Sequence, residues 1–174
     1  MNKLEKKEKG FTIIEVVLVL AIGALIFLVV FLAVPALQRS QRDQQRRSDA
    51  SRVSSAVTNY QSNNNGKLPD TTTAAVTSFT QSYLKNSSST GNGTTGELKS
   101  PTTRTEYAIG IHSTLTLPAG ITSVPAAGTV PAYNTEGINI IVGFKCNGET
   151  AVAATGRYAV LINLEGGGRY CVGS

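Results

Sequence analysis

The feature that constrains this chain most is an uncharged apolar run near its N-terminus. From Val16 to Leu37, 22 consecutive residues carry no charge, and about 20 apolar residues in a helix span the hydrocarbon core of a bilayer. Gly23 and Pro35 interrupt the run, but membrane helices tolerate both residue types. The alternative is a core helix of a soluble domain, which would show a polar face, and this run has none. The run therefore predicts a membrane-spanning helix.

The carboxylate of Glu15 stands at the start of this run. An acid at the centre of a membrane helix costs about 2.5–3.5 kcal/mol, and less near the edge, so such residues usually have a partner and a function. No Lys or Arg lies between Glu15 and Arg39. A cut between Gly10 and Phe11 would create a positive α-amine four residues before Glu15, and the amine of a second copy could equally meet this acid. Such a pair would fix the register between copies.

Basic residues flank the apolar run on both sides. Four lysines precede it, and five arginines follow it between residues 39 and 52, so the positive-inside rule does not decide the orientation. The C-terminal part is rich in Ser, Thr and Gly and contains both cysteines, Cys146 and Cys171. An even pair in a loop-rich domain predicts a disulfide outside the cytoplasm, with two unpaired buried thiols as the alternative. This placement puts the N-terminus inside and the bulk of the chain outside.

These patterns divide the chain into four segments. Residues 1–10 are a short basic leader, and residues 11–37 are the membrane helix. Residues 38–63 continue the same helix in amphipathic form, and the Asn65-Gly66 pair follows its end. Residues 64–174 are an external domain, which starts with a Ser/Thr-rich loop and ends with the two cysteines.

Hydrophobic periodicity predicts the architecture beyond the membrane helix. Apolar residues at helical spacing form a stripe that can pack on a sheet, and they are Ala50, Val53, Val57 and Tyr60. Three later runs alternate with period two; the residues that share a face are Tyr107, Ile109 and Ile111, then Ile138, Ile140, Val142 and Phe144, then Tyr158, Val160, Ile162 and Leu164. The predicted fold class is α+β, with a long N-terminal helix packed on a small antiparallel sheet of about four strands.

The Ser/Thr-rich stretch between residues 71 and 105 has weaker patterns. Val76, Phe79 and Tyr83 predict a short helix. Asn86 and Asn92 each begin a triplet that matches a glycosylation acceptor in a surface loop. The composition of residues 86–96 predicts a flexible loop.

Residues that carry common enzyme chemistry are scarce. The chain has one histidine, His112, and two cysteines, so the sequence offers neither a Cys/His zinc cluster nor a histidine-based triad with a nucleophile motif. The glycines at 166–168 lack the Lys and Ser/Thr of a phosphate-binding loop, and the acids after Glu15 form no calcium-loop pattern. We predict no enzyme activity, no metal and no cofactor. The basic clusters are compatible with nucleic acid, but their place beside a membrane segment explains them.

The N-terminal residues resemble those of type IV prepilins and of their relatives in type II secretion and competence systems. The pattern is a short basic leader, then "GFTIIE" at residues 10–15, then an apolar helix. The resemblance implies cleavage after Gly10 by a prepilin peptidase, N-methylation of Phe11, and docking of Glu15 with the N-terminus of a neighbouring subunit. It also implies a pilin-like fold, and assembly by a pilus platform and its ATPase machinery into a helical filament.

Other parts of the chain are similar to the family in weaker ways. The stretch "YQSNNNGKLP" is similar to the helix exit of many pilins, and the Cys146–Cys171 pair looks like their C-terminal disulfide-bounded loop. Many members have a proline where this chain has Leu32, and this chain has Pro35 instead. Gly23 also stands one place earlier than the common glycine.

The resemblance implies a filament-forming protein in one of two versions, and a third function that does not follow from the resemblance also stays open. The first is a major-type pilin, inserted as a single-pass membrane protein and then polymerised with its own copies into a bacterial surface filament for adhesion, twitching motility or DNA uptake. The second is a competence or type II secretion pseudopilin, which forms a short fibre. The third is a non-polymerising membrane protein with an external binding domain, which would keep residues 1–10 and tolerate Glu15→Ala.

Overall fold

The computed structural model describes residues 10–87, 93, 95–113 and 137–174. The elements in these ranges are α1 (Ile13–Asn63), α2 (Thr73–Leu84), β1 (Ile109–Ser113), β2 (Ile138–Asn147), β3 (Thr150–Asn163) and β4 (Arg169–Gly173). The chain divides into two compact units, Met1–Gln38 and Arg39–Ser174. The first unit contains the start of α1, and the second contains the rest of α1 with the other elements.

The first unit is the apolar start of α1. Every residue from Phe11 to Gln38 is exposed except Gly23, which is half-buried. Among the described residues, α1 is the one helix that is long and apolar enough to cross a membrane. Apolar side chains exposed in such number need a cover of lipid or of other apolar helices.

The second half of α1 buries one face against the sheet. Its buried residues recur every three or four positions, as an amphipathic helix requires, and they are Arg46, Asp49, Ala50, Val53, Ala56 and Val57. Tyr60 is partly buried against the same core, so the predicted stripe is confirmed. Because full burial of a valine stabilises the folded state by about 1.5–3 kcal/mol, this stripe is a main attachment of the helix to the sheet.

Helix α2 confirms the short helix predicted in the Ser/Thr-rich stretch. The Thr72 side chain caps its start by accepting a hydrogen bond from the Ala75 amide, which satisfies one of the free N–H groups of the first turn. Its aromatic residues Phe79 and Tyr83 stack on each other and meet Tyr60 of α1 edge to face, with ring centroids 5.4–5.8 Å apart. This aromatic cluster joins the two helices.

Asn86, just after α2, is buried in the domain, where a glycan on its side chain would have no room. It is 1% exposed, and its side-chain oxygen accepts a hydrogen bond from the Leu98 amide at 3.2 Å. The prediction of a glycosylation acceptor at Asn86 is therefore wrong, because a buried amide cannot carry a glycan. Asn92 and most of the predicted flexible loop lie outside the described residues.

The four strands form one sheet in the order β1-β2-β3-β4. Strands β2, β3 and β4 pair antiparallel, whereas β1 pairs parallel with β2, from Ile109 opposite Ile138 to Ser113 opposite Val142. The sheet is thus mixed, and the prediction of an antiparallel sheet is wrong at this one pair. Parallel neighbours need a connection of a dozen residues or more, and the long stretch between Ser113 and Ile138 meets that requirement.

The sheet has a second apolar cluster, separate from the core beneath α1. It contains Ile141, Phe144, Ala151, Ala159 and Leu161, with Cys146 and Cys171 packed against it. The predicted grouping of Phe144 with Ile138, Ile140 and Val142 is wrong, because the β2–β3 register shifts between Val142 and Phe144. A one-residue shift moves every later side chain to the other face of a strand.

Two glycines accompany this change of face. Gly143 and Gly156 have φ values of 86° and 73°, which residues with a Cβ rarely adopt. Beyond them, the end of the β2–β3 hairpin comes close to the β3–β4 turn, since the Glu149 carboxylate lies about 3 Å from where a Cβ on Gly168 would be. The hairpin end therefore folds back over the second face of the sheet.

The disulfide bond between Cys146 and Cys171 secures this arrangement. Cys146 lies on β2 and Cys171 on β4, and β3 stands between these two strands in the sheet. Strands two places apart are roughly 10 Å from each other, yet the two Cα atoms are 5.7 Å apart. The bond can form because the hairpin end folds back toward β4.

Candidate functional site

The N-terminal residues singled out by the sequence lie together at the start of α1. Gly10 and Phe11 precede the helix, which begins at Ile13. The peptide bond between them is therefore outside regular structure, and Phe11 is 88% exposed. A protease can bind such a bond without unfolding a helix.

Glu15 is in the first turn of α1 and contacts Thr12. The Glu15 Oε2 atom accepts two hydrogen bonds, one from the Thr12 amide at 2.9 Å and one from the Thr12 hydroxyl at 2.7 Å. The Glu15 amide in turn donates to the Thr12 carbonyl at 3.1 Å. This is a capping arrangement, in which an acid in the first turn satisfies an N–H group at the helix start.

Sequence reasoning looked for a cation beside Glu15 and missed Thr12. The signature was present, because Thr12-Ile13-Ile14-Glu15 has the Ser/Thr-x-x-Glu spacing of a capping box. Thr12 is a neutral donor three residues away, and it carries no charge that would mark it as the partner of an acid.

The surroundings of Glu15 are apolar. Its side chain lines an open groove whose other lining residues are all apolar, namely Phe11, Val16, Val19 and Leu20. A partner that covers this groove would bring apolar groups against the helix and would remove water from the Glu15 carboxylate. The geometry therefore combines an apolar contact surface with one acid that depends on hydrogen-bond donors once water is removed.

The second unit contains a different acidic site, which the sequence did not predict. Glu165 in the β3–β4 turn accepts hydrogen bonds from the Arg42 guanidinium at 2.8 and 3.0 Å, from Arg46 at 3.2 Å and from the Thr102 hydroxyl at 2.8 Å. Asp43 holds the same turn by accepting from the Glu165 and Gly166 amides. The arginines that looked like a free basic cluster are thus partly engaged within the unit.

These contacts set the charge state of Glu165. Burial raises the pKa of Glu165, but the hydrogen bonds from Arg42 and Thr102 and the charges of Arg42 and Arg46 outweigh it and leave the pKa below its ordinary value. Asp49 behaves in the opposite way, because burial raises its pKa more than Tyr107 and Arg52 lower it. The two acids therefore give opposite contributions to the pH dependence of stability.

His112 lies on β1 and is half-buried. Its ring nitrogen is 3.2 Å from the Asn139 side-chain oxygen, and burial lowers the pKa of His112 more than this hydrogen bond raises it. Among the residues that the structure describes, no group of three or more His, Cys, Asp or Glu side chains is placed to hold a metal ion.

Comparison with known protein families gives a match at the N-terminus. Residues 6–31 match the family model described as the prokaryotic N-terminal methylation motif. The matched range contains Gly10, Phe11, Thr12 and Glu15 and the first part of the exposed apolar helix. No curated protein and no solved structure matches the chain.

Proposed function

We propose that this protein is a filament subunit. Its residues 6–31 carry the N-terminal methylation motif, which is consistent with a type IV pilin or pseudopilin. A class III signal peptide of this kind implies processing by a prepilin peptidase and pilus-type assembly. The cut falls after Gly10, and the new N-terminal residue, Phe11, is methylated. Copies then polymerise through the apolar half of α1.

The observation that carries this proposal is the position of Glu15 in the first turn of a helix whose apolar side chains are exposed. An acid at the start of a membrane-length segment is costly, and it can serve a function by fixing the register in which two copies dock. The α-amine of Phe11 in a second copy is the cation of suitable chemistry, since no Lys or Arg lies between Glu15 and Arg39. Docking through this pair would neutralise both charges inside an apolar assembly.

The finer assignment is a major-type pilin of a type IV pilus. The Cys146–Cys171 bond in the external domain supports it over a secretion pseudopilin. Glu15 supports it over tip-type minor subunits, some of which lack this acid. Before assembly, the subunit is a single-pass membrane protein with its C-terminal domain outside, and afterwards it is part of an extracellular filament. Adhesion, twitching motility and DNA uptake are the roles open to such a filament.

The proposal is tested by replacing Glu15 and counting filaments on cells. Glu15→Ala leaves membrane insertion unchanged and lowers the yield of sheared surface filaments by at least about tenfold, because a loss of roughly 1.4 kcal/mol per docking step already gives that factor. Glu97→Ala is the matched control, since Glu97 is an exposed acid paired with Arg52 and Lys85. Equal filament yield from Glu15→Ala and Glu97→Ala would contradict docking through Glu15.

A further inference from the structure

We propose that Thr12 stabilises the Glu15 carboxylate in a single, unassembled subunit, and we call this the resting contact. When a second copy docks, its N-terminal amine replaces Thr12 as the partner of Glu15. The observation is the pair of short hydrogen bonds from Thr12 to one carboxylate oxygen, at 2.7 and 2.9 Å. The contact forms within one chain, and it forms while Gly10 still precedes Phe11. It therefore needs neither a neighbour nor the amine that cleavage creates.

The physical need for such a contact follows from the surroundings of Glu15. A carboxylate in an apolar environment is costly unless donors satisfy it. Hydrogen bonds to an ionised acceptor are about twice as strong as neutral ones, and the N-terminus of a helix adds a favourable field for an anion. Thr12 supplies both donors from a position outside the helix, so that an unassembled subunit can keep Glu15 at the membrane edge.

The contact also sets how strongly copies dock. Docking does not add an ion pair to a free acid, because Glu15 must first give up at least part of its contact with Thr12. The net docking free energy is thus the difference between the new pair and the resting one. This exchange step rests on the proposed function, whereas the resting contact does not.

The first experiment measures the reactivity of Glu15 in the full-length, uncleaved chain, reconstituted in lipid vesicles without assembly proteins. The probe is dicyclohexylcarbodiimide, an apolar reagent that modifies protonated carboxyl groups in membranes, and the readout is the mass of the peptide containing Glu15. Thr12→Val keeps the shape of the side chain and removes the hydroxyl donor, whereas Thr12→Ser keeps the donor. The expected result is labelling roughly tenfold faster in Thr12→Val than in wild type, with Thr12→Ser close to wild type.

Equal labelling rates in wild type and Thr12→Val, or a Thr12→Ser variant that behaves like Thr12→Val, would overturn the resting contact. Neither result depends on filaments, so failure here is distinguishable from failure of the proposed function. The second arm applies the same reagent to assembled filaments. There the exchange predicts equal, slow labelling of wild type and Thr12→Val, and a persistent difference between them would overturn the exchange.

Discussion

Val17 and Val57 lie in the same helix, α1, but in different units of the molecule. Val57 is fully buried beneath the sheet, whereas 56% of Val17 is exposed. The acids differ in the same way. Glu165 is held by two arginines from another element, whereas among the described residues Glu15 accepts its side-chain hydrogen bonds from Thr12, three positions before it. The second unit thus buries its face of α1 against its own sheet. In the part of the chain that the structure describes, the apolar side chains of residues 11–37 are exposed and need a cover of lipid or of other apolar helices.

The largest predicted effect on the second unit comes from the disulfide. Replacing Cys146 and Cys171 together by Ser lowers the free energy of unfolding by about 2–5 kcal/mol, because the folded-back hairpin end is no longer tied to β4. The measurement is urea unfolding of the full chain in detergent, followed by tyrosine absorbance or near-ultraviolet circular dichroism. All six tyrosines belong to the second unit and the chain has no tryptophan, so the tyrosine signals report on that unit alone.

Substitution of Val17 and Val57 tests directly whether the two units differ in the burial of their apolar side chains. Val57→Ala removes two fully buried methyl groups and lowers the free energy of unfolding by about 1.5–3 kcal/mol. Val17→Ala makes the same chemical change at an exposed position in the first unit, and it changes tyrosine-detected unfolding by less than about 0.5 kcal/mol. A Val17→Ala effect as large as that of Val57→Ala would show that the two units do not differ in this way.

The effect at Glu165 is smaller than that at Val57, and it depends on pH. Removing the charge with Glu165→Gln lowers the free energy of unfolding at pH 7 by about 1–2 kcal/mol, since hydrogen bonds to a charged group are weakened. The folded state lowers the pKa of Glu165 from its ordinary value of 4.5. The wild-type advantage is therefore full above that value and disappears as pH falls through the lower, folded-state pKa.

Asp49→Asn is the matched control for the sign of this effect. Because the folded state raises the pKa of Asp49 above its ordinary value, its contribution favours folding at low pH and is lost as pH rises through the raised pKa. The difference between wild type and variant thus changes with pH in opposite directions for Glu165→Gln and Asp49→Asn. The same direction for both variants would contradict the contacts described for these acids.

Local patterns in the sequence were enough to predict the membrane-length helix, the buried stripe at Val53 and Val57 and the short helix α2. Each of these depends on periodicity within a few turns. The parallel pairing of β1 and the change of face at Phe144 were missed, because strand direction and register depend on contacts between distant segments. The Arg42–Glu165 contact was missed for the same reason, as 123 residues separate the two side chains.

More of the N-terminal site than of the sheet could be predicted from the sequence. Gly10 and Phe11 were identified through the resemblance to prepilins, and Glu15 through its place at the start of an uncharged apolar run. The match at residues 6–31 contains all three residues. Thr12 was equally visible as the first residue of a capping box, but its neutral donors carry no charge that would mark it as the partner of an acid. A motif that is local in sequence can thus be found without a structure, provided that every donor within one turn is considered.

The most direct test of the account is the N-terminus of the protein as it exists on cells. Filaments are sheared from the surface, and the subunit is analysed by intact mass and N-terminal peptide mass spectrometry. The account predicts a chain that starts at methylated Phe11, with a mass two hydrogens short because Cys146 and Cys171 are bonded. A chain that still begins at Met1 and is found only in membranes would contradict the filament subunit and favour a membrane-anchored binding protein.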